Sequence, residues 1–256
     1  MIVAGYIEDL GRPSDQDGCG YSKPSVKQHL AAIRKLFDYL VTGGILPANP
    51  ASSVRGPKYS IKRGKTPVLT AEEARQLLDA IETDTLIGLR DRALIGVMVY
   101  SFARVTAAVL MRIEDYLQAG KRWKFRFIEK GGKYNEVFAH HNAEAYLDAY
   151  LDAAGIREEK KGPLFRTIDR KQELSLRPMH RTDGLRMVKR RALAAGLPVS
   201  TCNHTFRATG ITTYLKNGGR VEVAQQIAGH ESARTTGLYD RRDDEVSLDE
   251  VERIVI

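Results

Sequence analysis

The sequence predicts a mainly α fold with one small antiparallel β-sheet, an α+β chain. Three observations predict it. Apolar residues recur at three- and four-residue spacing through most of the chain. The spacing switches to strict alternation only between Lys121 and Phe138. Glycines stand where the helical patterns stop, at Gly43-Gly44, Gly196, Gly218-Gly219 and Gly229.

Each element follows from these signals in turn. Val3–Leu10 is a first short helix, and Gly11 to Gly20 a polar loop. From Ser25 to Thr42, Val26, Leu30, Ile33, Leu36, Phe37 and Leu40 form an apolar stripe. Lys27, Arg34 and Lys35 interleave it, as a solvated basic face or a face for phosphates. A further short helix is expected near Pro50–Val54. Residues 56–69 have no period and carry Lys58, Lys62, Arg63 and Lys65, so they predict an extended linker. Thr70 and Glu73 have the spacing of a capping box, which opens a helix running to about Ala80. Arg90 to Phe102 is a second helix of this domain, with Ala93, Leu94, Val97 and Met98 on its core side.

Trp123, Phe125 and Phe127 alternate with Lys124 and Arg126, Gly131-Gly132 interrupt, and Tyr134 to Phe138 follow, which predicts a hairpin with a Gly-Gly turn. Helical patterns then resume over Ala143–Ala154, Arg181–Ala195, His204–Lys216 and Val221–Ala228. In the last segment Val246, Leu248, Val251, Ile254 and Val255 make a short apolar face, with Ser247 and Glu250 as a capping box. The expected organisation is a helical piece over 1–58, a linker over 59–69, a main domain over 70–243 and a tail helix over 244–256.

Charge narrows the partners. The net charge is +8 with a pI near 9.4, which favours a polyanion. Residues 1–66 hold ten Lys/Arg against five Asp/Glu, so a quarter of the chain carries most of the excess and a nucleic-acid contact should involve it. Two cysteines, Cys19 and Cys202, exclude a disulfide framework and suit a reducing cytoplasm. No apolar run approaches the ~18 residues that span a bilayer, and the first residues lack a signal-peptide pattern. The expectation is a soluble cytoplasmic protein without a membrane partner. His140-His141 is assigned to a strand end, with no third metal ligand nearby.

The residues suited to chemistry cluster late. In His204-Thr-Phe-Arg207 the imidazole and guanidinium share one helix face. Gly229-His230 follows a helix later, and then Thr235-Thr236-Gly-Leu-Tyr239, its tyrosine nine residues after that histidine. This order resembles the tyrosine recombinase (phage integrase) family, whose signature is His-x-x-Arg, Gly-His and Thr-Thr-x-x-Tyr. Upstream, Val99-Tyr-Ser-Phe-Ala-Arg104 continuing to Met111–Asp115 is similar to the segment around the family's first arginine. Glu129-Lys130-Gly131-Gly132-Lys133 is similar to the hairpin that carries its lysine. The match covers roughly residues 67 to 241.

The resemblance implies a catalytic domain preceded by a short, incomplete helical core-binding domain, since family bundles have four or five helices. It implies a site-specific recombinase or integrase that cuts and rejoins double-stranded DNA through a 3′-phosphotyrosine. The expected catalytic residues are Arg104, Lys130, His204, Arg207, His230 and Tyr239. The chemistry suits these types. Two guanidinium forks clamp the non-bridging oxygens of a phosphodiester. A histidine near neutrality accepts the phenolic proton, and a lysine protonates the leaving 5′ oxygen. The ester conserves the bond energy, so neither metal, ATP nor another cofactor is expected. The implied assembly is a homo-oligomer, a tetramer on DNA that can be a monomer when free, with the tail docked on its own domain or on a neighbour.

Three departures from the family pattern stand out. Ala107 replaces an acidic residue, Ser101-Phe102-Ala103 replaces Thr-Gly-Leu, and Ala208 stands where His is common. Lys133 competes with Lys130, which spacing favours. Two alternatives use the same residues: a type IB topoisomerase that only relaxes supercoils, and a decayed DNA-binding protein that no longer cuts.

Overall fold

The computed structural model describes residues 2–13, 20–60, 64–128, 132–169 and 173–241. The chain divides into two compact units, residues 1–62 and 63–256.

In the first unit, α1 (Ile2–Gly11) and α2 (Lys23–Thr42) meet along Ile7, Val26 and Leu30. Helix α2 starts two residues earlier than the apolar stripe suggests. Ser22 caps it by accepting from the Ser25 N–H, and Pro24 fits a first turn, where its missing N–H costs nothing. The helix expected near Pro50–Val54 is instead a turn. Asn49 Oδ1 accepts from the Ala51 N–H at 2.8 Å, and Arg34 donates to the carbonyls of Ala51 (3.2 Å) and Val54. These side chains reinforce the turn's own backbone bonds, from the Ser52 N–H to the Asn49 carbonyl (3.2 Å) and from the Val54 N–H to the Ala51 carbonyl (3.3 Å). Arg34, expected on a basic outer face, is spent on this turn.

The second unit begins with α3 (Ala71–Asp79), where the capping box is formed in both directions: Glu73 N–H to Thr70 Oγ1 at 3.1 Å and Thr70 N–H to Glu73 Oε2 at 2.8 Å. Then come α4 (Leu86–Tyr100), α5 (Val105–Val109), a 3₁₀ turn at Ile113–Asp115, and strands β1 (Tyr116–Ala119), β2 (Arg122–Ile128) and β3 (Tyr134–Phe138). They are followed by α6 (His141–Ala154), β4 (Arg166–Ile168), β5 (Leu174–Pro178), α7 (Arg181–Ala194), α8 (Asn203–Lys216), α9 (Val221–Ala228) and α10 (Ala233–Gly237). The sheet order is β1-β2-β3, antiparallel throughout, and β4 and β5 form a separate antiparallel pair.

Helices α4 and α8 form the centre. Ala93, Leu94, Ile95, Val97 and Met98 are all fully buried, so α4 is covered on every side rather than along one stripe. It therefore starts at Leu86, four residues before the amphipathic pattern is visible, with Thr85 accepting from the Gly88 N–H as cap. On the sheet, Phe125, Phe127 and Val137 face inward, while Arg126 pairs outward with Glu136 across the ladder at 3.1 Å. The alternation found this hairpin. It missed β1, four residues long, and β4–β5, too short to show a period. The His140-His141 pair does not end a strand: His140 Nδ1 accepts from the Asn142 N–H at 3.2 Å as cap of α6, and its ring stacks on Tyr100 at 4.2 Å. The expected tail helix over 244–256 lies outside the described residues. No described helix is long and apolar enough to cross a membrane.

One ion cluster ties α4 to α7. The Asp91 carboxylate is fully buried and accepts from Arg90 (2.7 Å), Arg190 (2.9 Å) and Arg191 (3.0 Å). Arg90 also donates to the Arg166 carbonyl of β4 at 3.0 Å. Removing the anion strands the buried Arg90 and the largely buried Arg191, while Arg190 stays solvated, and breaking such a buried pair costs about 3–5 kcal/mol. Asp91→Asn should therefore lower the melting temperature by on the order of 10 °C in a calorimetric scan. A drop of only ~2 °C would mean the cluster contributes little.

Candidate active site

Helix α8 carries the pair His204 and Arg207, one turn apart. His204 is exposed in the first turn, whereas Arg207 is only 2% exposed. A guanidinium so deep needs acceptors for its donors. It finds them at the ends of two other helices. Arg207 Nη2 donates to the Ala228 carbonyl at 2.6 Å, and Nη1 to the Phe102 carbonyl. Ala228 is the last residue of α9, and Phe102 lies just beyond the end of α4. Carbonyls at helix C-termini lack intrahelical partners and carry the negative end of the helix dipole, so both suit a cation.

The same two helix ends present further candidate residues. Arg104 lies two residues after Phe102, half-buried at the start of α5. After α9, Gly229 takes the left-handed conformation (φ 59°) that closes a helix. That turn is bonded on both sides: the His230 N–H donates to the Gln225 carbonyl at 3.1 Å, and Gln225 Nε2 to the His230 carbonyl at 3.0 Å. His230 is buried, with Nδ1 2.9 Å from Thr236 Oγ1 on α10. Tyr239 follows α10 half-buried, its ring nearly parallel to His230 with centroids 5.8 Å apart.

Electrostatics joins the two arginines to the two histidines. Desolvation, then Arg207 and Arg104, pushes His230 down from 6.5 to about 4. The same causes in the same order lower His204. Both imidazoles are thus held neutral near pH 7, first by desolvation and then by the positive field they share.

The structure brings together Arg104, His204, Arg207, His230 and Tyr239. Lys130 lies outside the described residues, while its rival Lys133 is exposed just before β3. Sequence reasoning overlooked the supports of this site. Thr212 Oγ1 donates to the Tyr239 carbonyl at 2.8 Å, and Asn135 Nδ2 to the Ile227 carbonyl at 3.1 Å, linking β3 to α9. Arg241 donates to the carbonyls of Gly64 (2.8 Å) and Thr66 (3.1 Å), and the Gly64 N–H to the Leu238 carbonyl (2.9 Å). Residues 64–66, within the expected linker, thus run beside the Tyr239 segment. A signal for Thr236 was present in Thr-Thr-x-x-Tyr, but nothing in that spacing assigned it a partner. A cavity of about 560 Å³ also opens among Tyr100, His140, Tyr146 and Tyr214, but none of the five residues lines it.

The phage integrase family model matches residues 67–245, a span holding every residue just described from Phe102 to Arg241. The chain belongs to the phage integrase family. It is 29% identical over 248 residues to the tyrosine recombinase XerC of Vibrio vulnificus, covering 95% of this chain and 73% of that one. It is 30% identical over 245 residues to XerC of Thermodesulfovibrio yellowstonii, covering 93% and 76%. The structure of XerH site-specific recombinase bound to a palindromic difH substrate, a post-cleavage complex, superposes with a TM-score of 0.74 at 22% identity over 99% of this chain and 69% of that one. That likeness is one of fold.

Against the family pattern, Ala107 and Ala208 are both buried, Ala107 within the main apolar core, so neither presents a polar group to the site. Phe102 is the larger departure. It takes φ 55°, the only positive φ on a non-glycine among the described residues.

The depressed imidazole gives a pH prediction. With a folded pKa near 4 against 6.5 unfolded, His230 is neutral in both states above pH 6.5. Below that the unfolded chain takes up the proton first, so stability falls from pH 6.5 down to about 4 and then levels. The contribution is roughly 3 kcal/mol. Subtracting the pH profile of His230→Gln unfolding from that of the native chain should reveal this slope; two parallel profiles would rule out the buried neutral state.

Proposed function

We propose that the chain is a site-specific DNA recombinase that cleaves and rejoins double-stranded DNA through a 3′-phosphotyrosine on Tyr239. One observation carries this reading: Tyr239 packs against a neutral histidine, His230, that feels both Arg104 and Arg207. A phenol beside a doubly cationic, partly desolvated site is arranged for attack on an anion. Relatives named as tyrosine recombinases support the substrate class.

In the proposed reaction Arg104 and Arg207 hold the non-bridging oxygens of the scissile phosphate and neutralise the charge gathering there. Neutral His204 accepts the proton from the Tyr239 hydroxyl as its oxygen attacks phosphorus. When the Thr236 hydroxyl donates to Nδ1 of His230, Nε2 carries the proton and points a donor at the phosphate. The phosphorus–O5′ bond breaks, and Lys130 gives O5′ a proton. The reverse attack by a free 5′-hydroxyl expels Tyr239 and reseals the strand, so no nucleotide cofactor is called for. Strand exchange between duplexes makes a homo-oligomer on DNA the working form, and the basic residues of 1–66 supply phosphate contacts.

Two experiments test this. On a nicked suicide duplex, Tyr239→Phe should abolish the covalent adduct while DNA affinity changes by no more than about threefold, since the ring remains and only the nucleophile goes. An adduct from the Phe variant would overturn the assignment, and wild type that binds yet forms none would favour a non-cleaving reader. Lys130→Ala should cleave a normal substrate slowly but a 5′-phosphorothiolate well, because that leaving group departs without a proton. Rescue of Lys133→Ala instead would move the acid to Lys133.

A further inference from the structure

Phe102 occupies a backbone region that side chains avoid, because there Cβ crowds the residue's own carbonyl. Such a conformation persists only where its surroundings hold it from several sides. They do so here. The Phe102 carbonyl accepts from buried Arg207. Its ring lies against α8 at Gly210, where a Cβ would come within 2.7 and 2.8 Å of ring carbons and 2.2 Å of the Val99 carbonyl oxygen. The ring also meets Tyr214 edge-on, centroids 6.1 Å apart. It belongs to the apolar cluster of Ile211, Leu215, Ala224 and Ala228, against which Tyr239 packs.

We propose that Phe102 is a positioning residue: its left-handed turn fixes the spacing of Arg104 and Arg207. The carbonyl of residue 102 orients Arg207 directly. The same turn sets the direction in which the chain leaves α4, and Arg104 is two residues further on. In an extended conformation the carbonyl would rotate off Arg207, and the two guanidiniums would no longer address one phosphate together. Glycine reaches this φ without strain and is the usual residue at a helix end of this shape. Phenylalanine adds a ring that keys the turn into the cluster behind the nucleophile. This inference rests on the proposed clamping role of the arginines.

The test compares Phe102→Gly with Phe102→Val in single-turnover cleavage of a suicide duplex. Both remove the ring, but glycine takes the left-handed turn freely while β-branched valine resists it. Valine should be slower than glycine by at least about tenfold, with DNA affinities within about threefold of each other. On a duplex with a methylphosphonate at the scissile position, which has no anionic charge for the arginines to neutralise, the gap should shrink to about threefold or less. A loss of packing alone would persist on both substrates. Equal rates for the two variants, or a gap unchanged on the methylphosphonate, would overturn the proposal. If the valine variant does not fold, Phe102→Ala replaces it and should still fall below glycine. Failure of wild type to form any adduct would refute the functional reading itself, whereas a cleaving wild type with indistinguishable variants refutes only this one.

Discussion

The buried guanidinium of Arg207 is the interaction on which the rest of the site depends. Removing a cation from water is costly unless each donor finds an acceptor. The chain meets that requirement with the terminal carbonyls of α9 and of the turn after α4. Three segments far apart in sequence are thereby pinned to one planar group. The two helix ends it joins lead directly into Arg104 and into His230, so the fixation of one arginine sets the places of its neighbours. Thr212 and Gly64 then hold the Tyr239 segment against the same unit.

The concentrated positive charge has a chemical consequence beyond binding an anion. Added to the desolvation that burial imposes, which is the larger cause, it lowers both imidazoles, so that near neutral pH His204 and His230 are uncharged. A neutral histidine can take a proton, and one hydrogen-bonded at Nδ1 can still use Nε2. The arginines keep their charge under all ordinary conditions. In the proposed reaction, fixed cations and neutral imidazoles therefore divide the work of phosphate binding and proton transfer.

Much of this was legible in the sequence because the chemistry is local. His204 and Arg207 share a helix face, Gly229 announces the turn before His230, and Thr70 with Glu73 marks the first helix of the second unit. Alternation located β2 and β3. Other features were illegible for physical reasons. Helix α4 opens on Leu86-Ile-Gly-Leu89, partly buried and without a polar residue, so no amphipathic pattern marks its first turn. The turn at residues 50–54 depends on Arg34 and Asn49 reaching across space, which spacing does not encode. Phe102 was visible as a departure from the family's glycine. Only its φ of 55° shows that the departure retains a glycine conformation while adding a ring.

The central claim is that these groups converge on one phosphate to make Tyr239 the nucleophile. Mass spectrometry of the proteolysed adduct, trapped on a suicide duplex labelled separately at each strand end, tests it most directly. The account predicts a single nucleotide-bearing peptide containing Tyr239, joined through a 3′ phosphate and leaving a free 5′-hydroxyl. Attachment to any other residue, or a linkage through a 5′ phosphate, would contradict it.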